Sequence, residues 1–267
     1  MTKKLVSFDL TADFGFFKKP DYNDGILLSY NMLHRPALLG ILGSIIGLRG
    51  YERKGELPEY YQRLCDLPVG IEPLSHERGN FQKTTVKYTN TVGYANADGN
   101  LLVEEMMLIK PAYRCYLLLD VSNADHERLF VNLKEGRADY IPYLGKNEFQ
   151  AWWLDEHGEP TFREHEFEER KGGLDGFGVS TLVDKRNVTL KDRIVEDDFF
   201  ENYNPYEIVL SRNTTFMYFE RLPVGIDTEL FQYEMHDFAF SNFSLKSDTP
   251  IGSLYFLRDL QSYVQLS

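Results

Sequence analysis

Basic and aromatic residues alternate in a short stretch near the start of the chain. The segment 14–22 reads FGFFKKPDY and holds Lys18 and Lys19 among four aromatic side chains, and Tyr30 and Arg35 follow it. Lysine and arginine pair with phosphates, and aromatic rings stack on unpaired bases, so this combination suits a single-stranded RNA end. The same residues also suit a solvated loop that supplies one or two aromatic side chains to the core.

Three later segments supply further candidate RNA contacts. The first is a predicted hairpin arm, the second is the strand after it, and the third is a glycine-containing turn whose N–H groups can face a phosphate. Each has an ordinary alternative: an exposed charged edge that prevents aggregation, an ion pair with a carboxylate, or a tight turn. The candidates are Lys83, Lys87, Tyr88, Arg114, Tyr143, Gly145, Lys146 and Asn147.

Catalytic patterns are weaker than binding patterns in this sequence. Metal-independent RNA cleavage needs a base near the attacking hydroxyl, and His34 beside Arg35 is the alternative candidate for that role. The spacing of the histidines, serines and aspartates predicts no Ser/His/Asp arrangement. His157 and His165 lie among carboxylates, a pattern more typical of an acidic surface than of a metal site. We therefore expect neither catalysis, nor a metal, nor a cofactor.

Charge is divided unevenly along the 267 residues. Residues 1–125 hold 14 Lys and Arg against 15 Asp and Glu, whereas residues 126–267 hold 15 against 26. A local basic surface is therefore compatible with the net charge of −12, and the acidic half favours solubility or basic protein partners. Because no apolar run is long enough to span a bilayer and the first residues do not resemble a signal peptide, a cytosolic protein without membrane contact is expected.

Glycines interrupt an otherwise helical segment, RPALLGILGSIIGL, from Arg35 to Leu48. At 100° per residue, Gly40, Gly43 and Gly47 form a stripe of small residues opposite the large aliphatic side chains. The stripe predicts a groove for a close backbone, either of RNA or of a protein segment, and a bulky residue at Gly43 would then disturb assembly more than folding. A tight contact with a helix of the same chain is the alternative.

The order of predicted elements indicates an α+β fold. Strand 4–12, the glycine-containing helix ended by Gly50, a long hairpin about residues 82–110, a strand after Pro111 and a helix from Ser122 or Asn123 to Gly136 follow one another. This order matches a ferredoxin-like βαββαβ plan with a protruding hairpin. We predict one domain over residues 1–150 and a β-rich acidic extension or layer over 151–267, in which 163–170 and 194–207 read as solvated loops.

Two stretches resemble the CRISPR-associated Cas-five family of the RAMP superfamily. The run FFKKPDYNDGILLSYNMLHRPALLGILGSIIGL, residues 16–48, is similar to the family's opening signature, and YIPYLGKNEFQAWW, residues 140–153, is similar to its second signature. Both occur in the family's order, with a hairpin between them at the place of its thumb. The length of the chain and the residues of the two motifs are most similar to those of type I-B members.

This resemblance implies an RNA-recognition-like ferredoxin fold and a role in antiviral defence. Family members sit at one end of a Cascade effector complex, hold the five-prime handle of the CRISPR RNA, and contact the backbone subunit and the large subunit that reads target DNA. One branch of the family instead cuts the precursor RNA. The resemblance therefore implies an RNA-binding subunit, with a precursor-processing endoribonuclease as the alternative.

Overall fold

The computed structural model describes residues 2–21, 25–89, 102–173, 176–188, 216–246 and 249–267. The helices are α1 (Arg35–Ile45), α2 (Glu59–Leu64) and α3 (Ala124–Glu135). The strands are β1 (Lys3–Ala12), β2 (Phe14–Gly15), β3 (Phe17–Lys18), β4 (Ile26–Leu27), β5 (Ser29–Tyr30), β6 (Val69–Leu74), β7 (Lys83–Thr89), β8 (Leu102–Ile109), β9 (Ala112–Asp120), β10 (Ala151–Trp152), β11 (Arg163–His165), β12 (Phe167–Arg170), β13 (Val183–Asp184), β14 (Met217–Ile226), β15 (Tyr233–Ser241), β16 (Leu254–Leu257) and β17 (Ser262–Gln265). The described chain is therefore a mixed, strand-rich fold with few helices.

A central antiparallel sheet organises the fold. β9 lies between β1 and β6, and the short strands β10 and β11 pair with the other edge of β1. Along β1, Val6, Phe8 and Leu10 alternate with Leu5 and Ser7, as the period-two pattern predicts. The first set packs into one large core with side chains of all three helices. The β1–α1–β6 and β9–α3–β10 units are thereby joined in one sheet.

Helix α1 begins as predicted but ends earlier. His34 is its N-cap and Pro36 lies in its first turn, where the missing N–H costs nothing. Gly47 has a φ of +74°, a left-handed conformation that stops the helix three residues before Gly50. The prediction that Gly50 ends the helix was therefore wrong, because Gly47 already takes the left-handed position.

The glycine stripe of α1 faces α2 of the same chain. A Cβ at Gly43 would lie 2.3 Å from the Tyr60 Cβ, and one at Gly40 would lie 3.6 Å from the Tyr60 ring. Gly47 faces Asp139 instead, at 2.3 Å from the hypothetical Cβ to Oδ2. The predicted groove for an RNA backbone at Gly40 and Gly43 was therefore wrong. Tyr60 fills that space, which is the intramolecular alternative.

β7 and β8 form a hairpin, and short strands of the aromatic-basic loop pair with the edge of β8 that faces away from β7. The two arms pair from Lys83 with Leu108 to Thr89 with Leu102. On the far side of β8, β2 pairs antiparallel and β4 pairs parallel, so the aromatic-basic loop becomes part of the hairpin sheet. Tyr22 of that loop, the predicted turn within 90–101 and the predicted loop 194–207 lie outside the described residues.

Beyond β11, the described strands form two smaller sheets that pack against the central sheet. Leu5, Tyr116 and Leu118 on the second face of the sheet pack against β16 and β17. The acidic segment 163–170 forms β11 and β12, so its prediction as a solvated loop was wrong. Its high charge concealed a period-two pattern, in which the buried His165 and half-buried Phe167 alternate with glutamates that point outward.

Candidate nucleic-acid interface

Three segments far apart in sequence meet where the hairpin joins the body. The N–H of Phe16 in the aromatic-basic loop donates to the carbonyl of Leu144 at 3.0 Å. Gly145 has a φ of +84°, and a Cβ there would lie 1.9 Å from the Phe16 carbonyl oxygen. Only glycine allows the turn to approach the loop this closely. We call this place the junction; its residues are Phe14, Phe16, Tyr88, Glu105, Gly145, Lys146 and Phe149.

Glu105 is the buried anion of the junction. Tyr88 donates its hydroxyl to Glu105 Oε1 at 2.9 Å, and Lys146 donates to Oε2 of the same carboxylate. The Lys146 ammonium lies 5.2 Å from the ring centroid of Tyr88 and 5.5 Å from that of Phe16. Burial opposes its charge, but the hydrogen bond and charge of Glu105 outweigh this and raise the pKa of Lys146. Lys146 is therefore held as a cation between a carboxylate and two aromatic faces.

Aromatic rings remain accessible around this cation. Phe14 and Tyr88 of the junction are 39% and 44% exposed, and Phe14 packs on Phe149 with 5.8 Å between ring centroids. Tyr143, two residues before Gly145 on the turn, is 42% exposed. Exposed rings beside a fixed ammonium offer a stacking surface next to a phosphate partner. Lys18 and Asn147 are also exposed, on the loop and on the turn.

The opposite face of β7 carries a second basic group. Strand alternation puts Lys83 and Lys87 on the side away from Tyr88. Lys87 pairs with Glu104 at 2.6 Å, and Lys19 pairs with Glu220 at 3.2 Å. Lys19 also lies 5.1 Å from the ring centroid of Tyr30. Tyr30 itself is buried, and burial raises its pKa to about 12, so the prediction that it contacts RNA was wrong.

Arg35 donates its hydrogen bonds to main-chain carbonyl groups inside the fold. Its guanidinium donates to the carbonyls of Ser267 at 3.1 Å and Val224 at 3.2 Å, and also to those of Cys65 and Leu67. Burial lowers its pKa. The prediction of an RNA contact at Arg35 was therefore wrong, because its donors already join α1 to the segment after α2, to β14 and to Ser267.

Arg114 is likewise paired within the chain. Nε donates to Asp9 Oδ1 at 2.6 Å and Nη2 donates to Oδ2 at 2.8 Å, a bidentate pair between neighbouring strands. These hydrogen bonds raise the pKa of Arg114. The ion-pair alternative describes the contacts of Arg114 within the chain, and a phosphate contact at this residue stays a prediction.

His34 lies in the core and caps α1. The Ala37 N–H donates to its Nδ1 at 3.3 Å, and the rings of Phe17, Tyr30 and Tyr233 surround it within 5.8 Å between centroids. Burial lowers its pKa to about 3. A general base must reach the proton that it abstracts, and a buried, capping imidazole does not suit that role.

This burial predicts a pH-dependent stability. The unfolded chain binds a proton at His34 near pH 6.5, whereas the folded chain binds it only near pH 3. Stability from this residue is therefore complete above pH 6.5 and decreases as the pH falls, by about 2 kcal/mol at pH 5. Urea unfolding at pH 7 and pH 5 measures it.

The matched variant is His34→Asn, which keeps a capping side chain but does not titrate. Its loss of stability between pH 7 and pH 5 is expected to be smaller than that of the natural chain by the same amount. Burial also lowers the pKa of His76 and of His126, so both variants retain some pH dependence. Identical pH profiles would contradict the assignment.

A Ser/His/Asp arrangement is present, although the spacing of these residues did not predict it. Ser7 Oγ lies 2.8 Å from His165 Nε2, and His165 Nδ1 lies 2.8 Å from Asp259 Oδ2. Because a carboxylate only accepts, Nδ1 carries the proton and Nε2 accepts from Ser7. Ser7 is 1% exposed in the middle of β1, with Tyr116 and Arg163 paired on either side. Because Ser7 is buried, the contacts among Ser7, His165 and Asp259 have a structural role. They join the β16–β17 turn to the central sheet.

Metal-binding clusters and membrane-spanning helices are both absent from the described residues. Within the described ranges, no three His, Cys, Asp or Glu side chains are grouped so as to hold a metal ion. Among the helices of those same ranges, none has the length and apolarity needed to cross a membrane.

Comparisons with known proteins give likenesses at the level of structure. No family model matches the chain, and no curated protein matches it in sequence. A CRISPR protein from Archaeoglobus fulgidus is 11% identical with a TM-score of 0.46, covering 97% of each chain. A chain of a CRISPR RNA-guided surveillance complex is 12% identical with a TM-score of 0.44, covering 90% of this chain and 91% of the other.

A third solved structure belongs to a different kind of complex. A chain of the Type III-B Cmr-beta complex bound to cognate target RNA is 10% identical with a TM-score of 0.42, covering 91% of this chain and 86% of the other. All three likenesses have TM-scores below 0.5 and identities below 25%, so they assign the chain to no family.

Proposed function

We propose that this chain is a non-catalytic RNA-binding subunit of a type I CRISPR effector complex, most similar to type I-B. In this proposal it holds the five-prime handle of the CRISPR RNA, contacts the backbone and large subunits, and meets target DNA only through the large subunit. The observation that carries the proposal is the junction. Both signatures of the resemblance and the hairpin between them, separated by up to about 130 residues, meet at Phe16, Tyr88 and Gly145.

The strand order supports a ferredoxin-like interpretation of the fold. Two β-α-β units share one antiparallel sheet, with the order β10/β11, β1, β9, β6. That arrangement is similar to the split β-α-β pattern of RNA-recognition-like domains, and this similarity supports the proposal. The hairpin of β7 and β8 is inserted between the second and third strands of this plan, at the position proposed for the thumb.

The junction offers the two interactions that a single-stranded RNA end requires. Lys146 supplies positive charge for a phosphate, and the exposed rings of Phe14 and Tyr88 supply stacking surfaces. The exposed Lys18 and Tyr143 lie on the loop and the turn that meet at the junction and add one charge and one ring. A stacked base contributes about 1 to 3 kcal/mol. Because Glu105 holds Lys146 against two rings, the cation is already placed before RNA arrives.

The burial of His34 supports a binding role over RNA cleavage. It is the histidine that the sequence favours as a base, and its pKa is lowered to about 3 by burial in the core. Repeat RNA incubated with the purified chain in EDTA is therefore expected to stay intact. Site-specific cleavage under these conditions would support the endoribonuclease alternative instead.

A charge-neutral variant of the junction tests the proposal. Replacing Lys146 alone would leave Glu105 buried without its cation, so the variant Lys146→Gln with Glu105→Gln keeps hydrogen bonding and removes both charges. We expect about tenfold weaker binding of handle RNA, equal to about 1.4 kcal/mol. The measurement is RNA binding by the complex assembled with co-expressed partner subunits.

Lys134→Gln on α3 is the matched control, because Lys134 is exposed and lies on a different element. It is expected to bind RNA like the natural chain. Small RNAs recovered with the complex are expected to share one five-prime sequence. Recovery of protein partners without such RNA would refute the proposal.

A further inference from the structure

Glu220 on β14 places its carboxylate against the main chain just ahead of α1. The N–H of Asn31 donates to Oε1 at 3.1 Å, and the N–H of Met32 donates to Oε2 at 3.1 Å. The Lys19 ammonium lies 3.2 Å from Oε1. The side chain of Glu220 is 7% exposed. One carboxylate therefore takes two consecutive main-chain N–H groups and a lysine.

We call the N–H groups of Asn31 and Met32 and the ammonium of Lys19 the cradle. Contacts other than those with Glu220 hold its main-chain donors in place. The Asn31 side chain donates to the carbonyl of Gly79 at 2.8 Å and accepts from the N–H of Phe81 at 3.1 Å. The hydroxyl of Tyr113 donates to the Asn31 carbonyl at 2.9 Å. The two N–H groups are thus aimed by the core and do not depend on Glu220 for their direction.

A second lysine faces the same place. The pKa of Lys83 is lowered, mainly by burial. The negative charge of Glu220 opposes this shift, whereas the positive charge of Lys19 adds to it. Lys83 is on the first position of β7, so this cradle borders the hairpin face that carries Lys87. Glu220 is therefore ion-paired with Lys19 of the aromatic-basic loop, and Lys83 of the hairpin lies close enough for the charge of Glu220 to act on it.

The donor set matches a phosphodiester as well as a carboxylate. Both anions carry one negative charge on two terminal oxygens, and each oxygen accepts from N–H groups or an ammonium. Glu220 comes from the acidic half of the chain, on a strand that forms the edge of its sheet. A carboxylate on an edge strand can be displaced by a change of side-chain rotamer without unfolding the sheet.

We propose that this cradle binds one phosphodiester of RNA, and that Glu220 occupies it in the free chain as an intramolecular substitute. The inference rests on the proposed function, since it names a further contact for the same RNA. RNA must displace Glu220 to bind there, so the free subunit binds RNA weakly and the cradle becomes available when a longer contact surface is engaged.

The variant Glu220→Gln tests this substitution, with Glu234→Gln on the neighbouring β15 as a control that removes the same charge elsewhere. The probe is a labelled 12-nucleotide RNA at physiological salt. We expect Glu220→Gln to bind about tenfold tighter than the natural chain, and its log–log salt slope to be steeper by about one. Glu234→Gln is expected to stay within about twofold. Equal affinities of Glu220→Gln and the natural chain would overturn the inference.

Amide signals of the natural chain provide a measurement that needs no variant. On addition of the same RNA, the Asn31 and Met32 amide protons are expected to shift; unshifted amides with RNA bound would overturn the inference. The two proposals fail differently. Binding that depends on Lys146 but not on Glu220 refutes only the cradle, whereas no RNA binding by chain or complex refutes the proposed function and the cradle with it.

Discussion

Replacing Gly145 with alanine is expected to destabilise the protein by about 3 to 5 kcal/mol. The residue has a φ of +84°, and a Cβ would lie 1.9 Å from the carbonyl oxygen and 2.7 Å from the carbonyl carbon of Phe16. Both atoms belong to the main chain, so no side-chain rotation relieves the clash. The turn must move away from the loop, which breaks the hydrogen bond from Phe16 to Leu144 and displaces Lys146 from the junction. Urea unfolding measures the loss.

Gly158→Ala separates the backbone strain from the clash. Gly158 has a φ of +82°, and no atom lies within 4 Å of a Cβ built there. Only the left-handed conformation is penalised in this variant, at about 1 to 2 kcal/mol. Equal losses in the two variants would show that the approach of Gly145 to Phe16 contributes nothing to stability.

Replacing Gly43 with alanine is expected to lower stability by about 2 to 4 kcal/mol, although alanine is the better helix former. The added methyl would meet the Tyr60 Cβ at 2.3 Å, close to the backbone of α2, so the two helices must separate. The effect therefore falls on folding of the isolated chain, whereas a groove for a partner would place it on assembly. Thermal and urea unfolding of the isolated chain distinguish these outcomes.

Gly40→Ala, one turn earlier on the same helix, is the matched control. A Cβ there would lie 3.6 Å from the Tyr60 ring, an ordinary van der Waals distance. Because no clash offsets the gain in helix propensity, we expect stability to rise by about 0.5 to 1 kcal/mol. Loss of stability at both positions would show that α1 and α2 cannot adjust at either glycine.

Local patterns predicted the elements whose causes lie close together in sequence. Alternation identified β1, and Asn123 and Gly136 marked the ends of α3 as its N-cap and left-handed C-cap. These features depend on residues within a few positions of each other. A pattern of that range says nothing about what a donor will meet across the fold.

The predicted site residues show the same difference between local patterns and contacts across the fold. Lys18, Lys146 and the hairpin arm belong to segments whose composition predicts RNA contact, and RNA contact at these residues stays a prediction. Arg35 and Arg114 carry the same chemistry, but their donors meet carbonyls and a carboxylate of the chain itself. Composition identifies which side chains can bind a phosphate, whereas only tertiary contacts reveal which of them are already occupied.

The sequence by itself therefore determined the periodicity of the first strand, the capped helix and the residue types available for RNA. Tertiary structure decided that Tyr60 fills the glycine stripe, that His165 joins Ser7 to Asp259, and that Glu220 lies in a cradle of N–H groups. The physical reason is the separation along the chain over which each effect acts. Propensity and alternation act over a few residues, whereas these contacts join groups up to about 190 residues apart, and only the packing of the whole chain places them together.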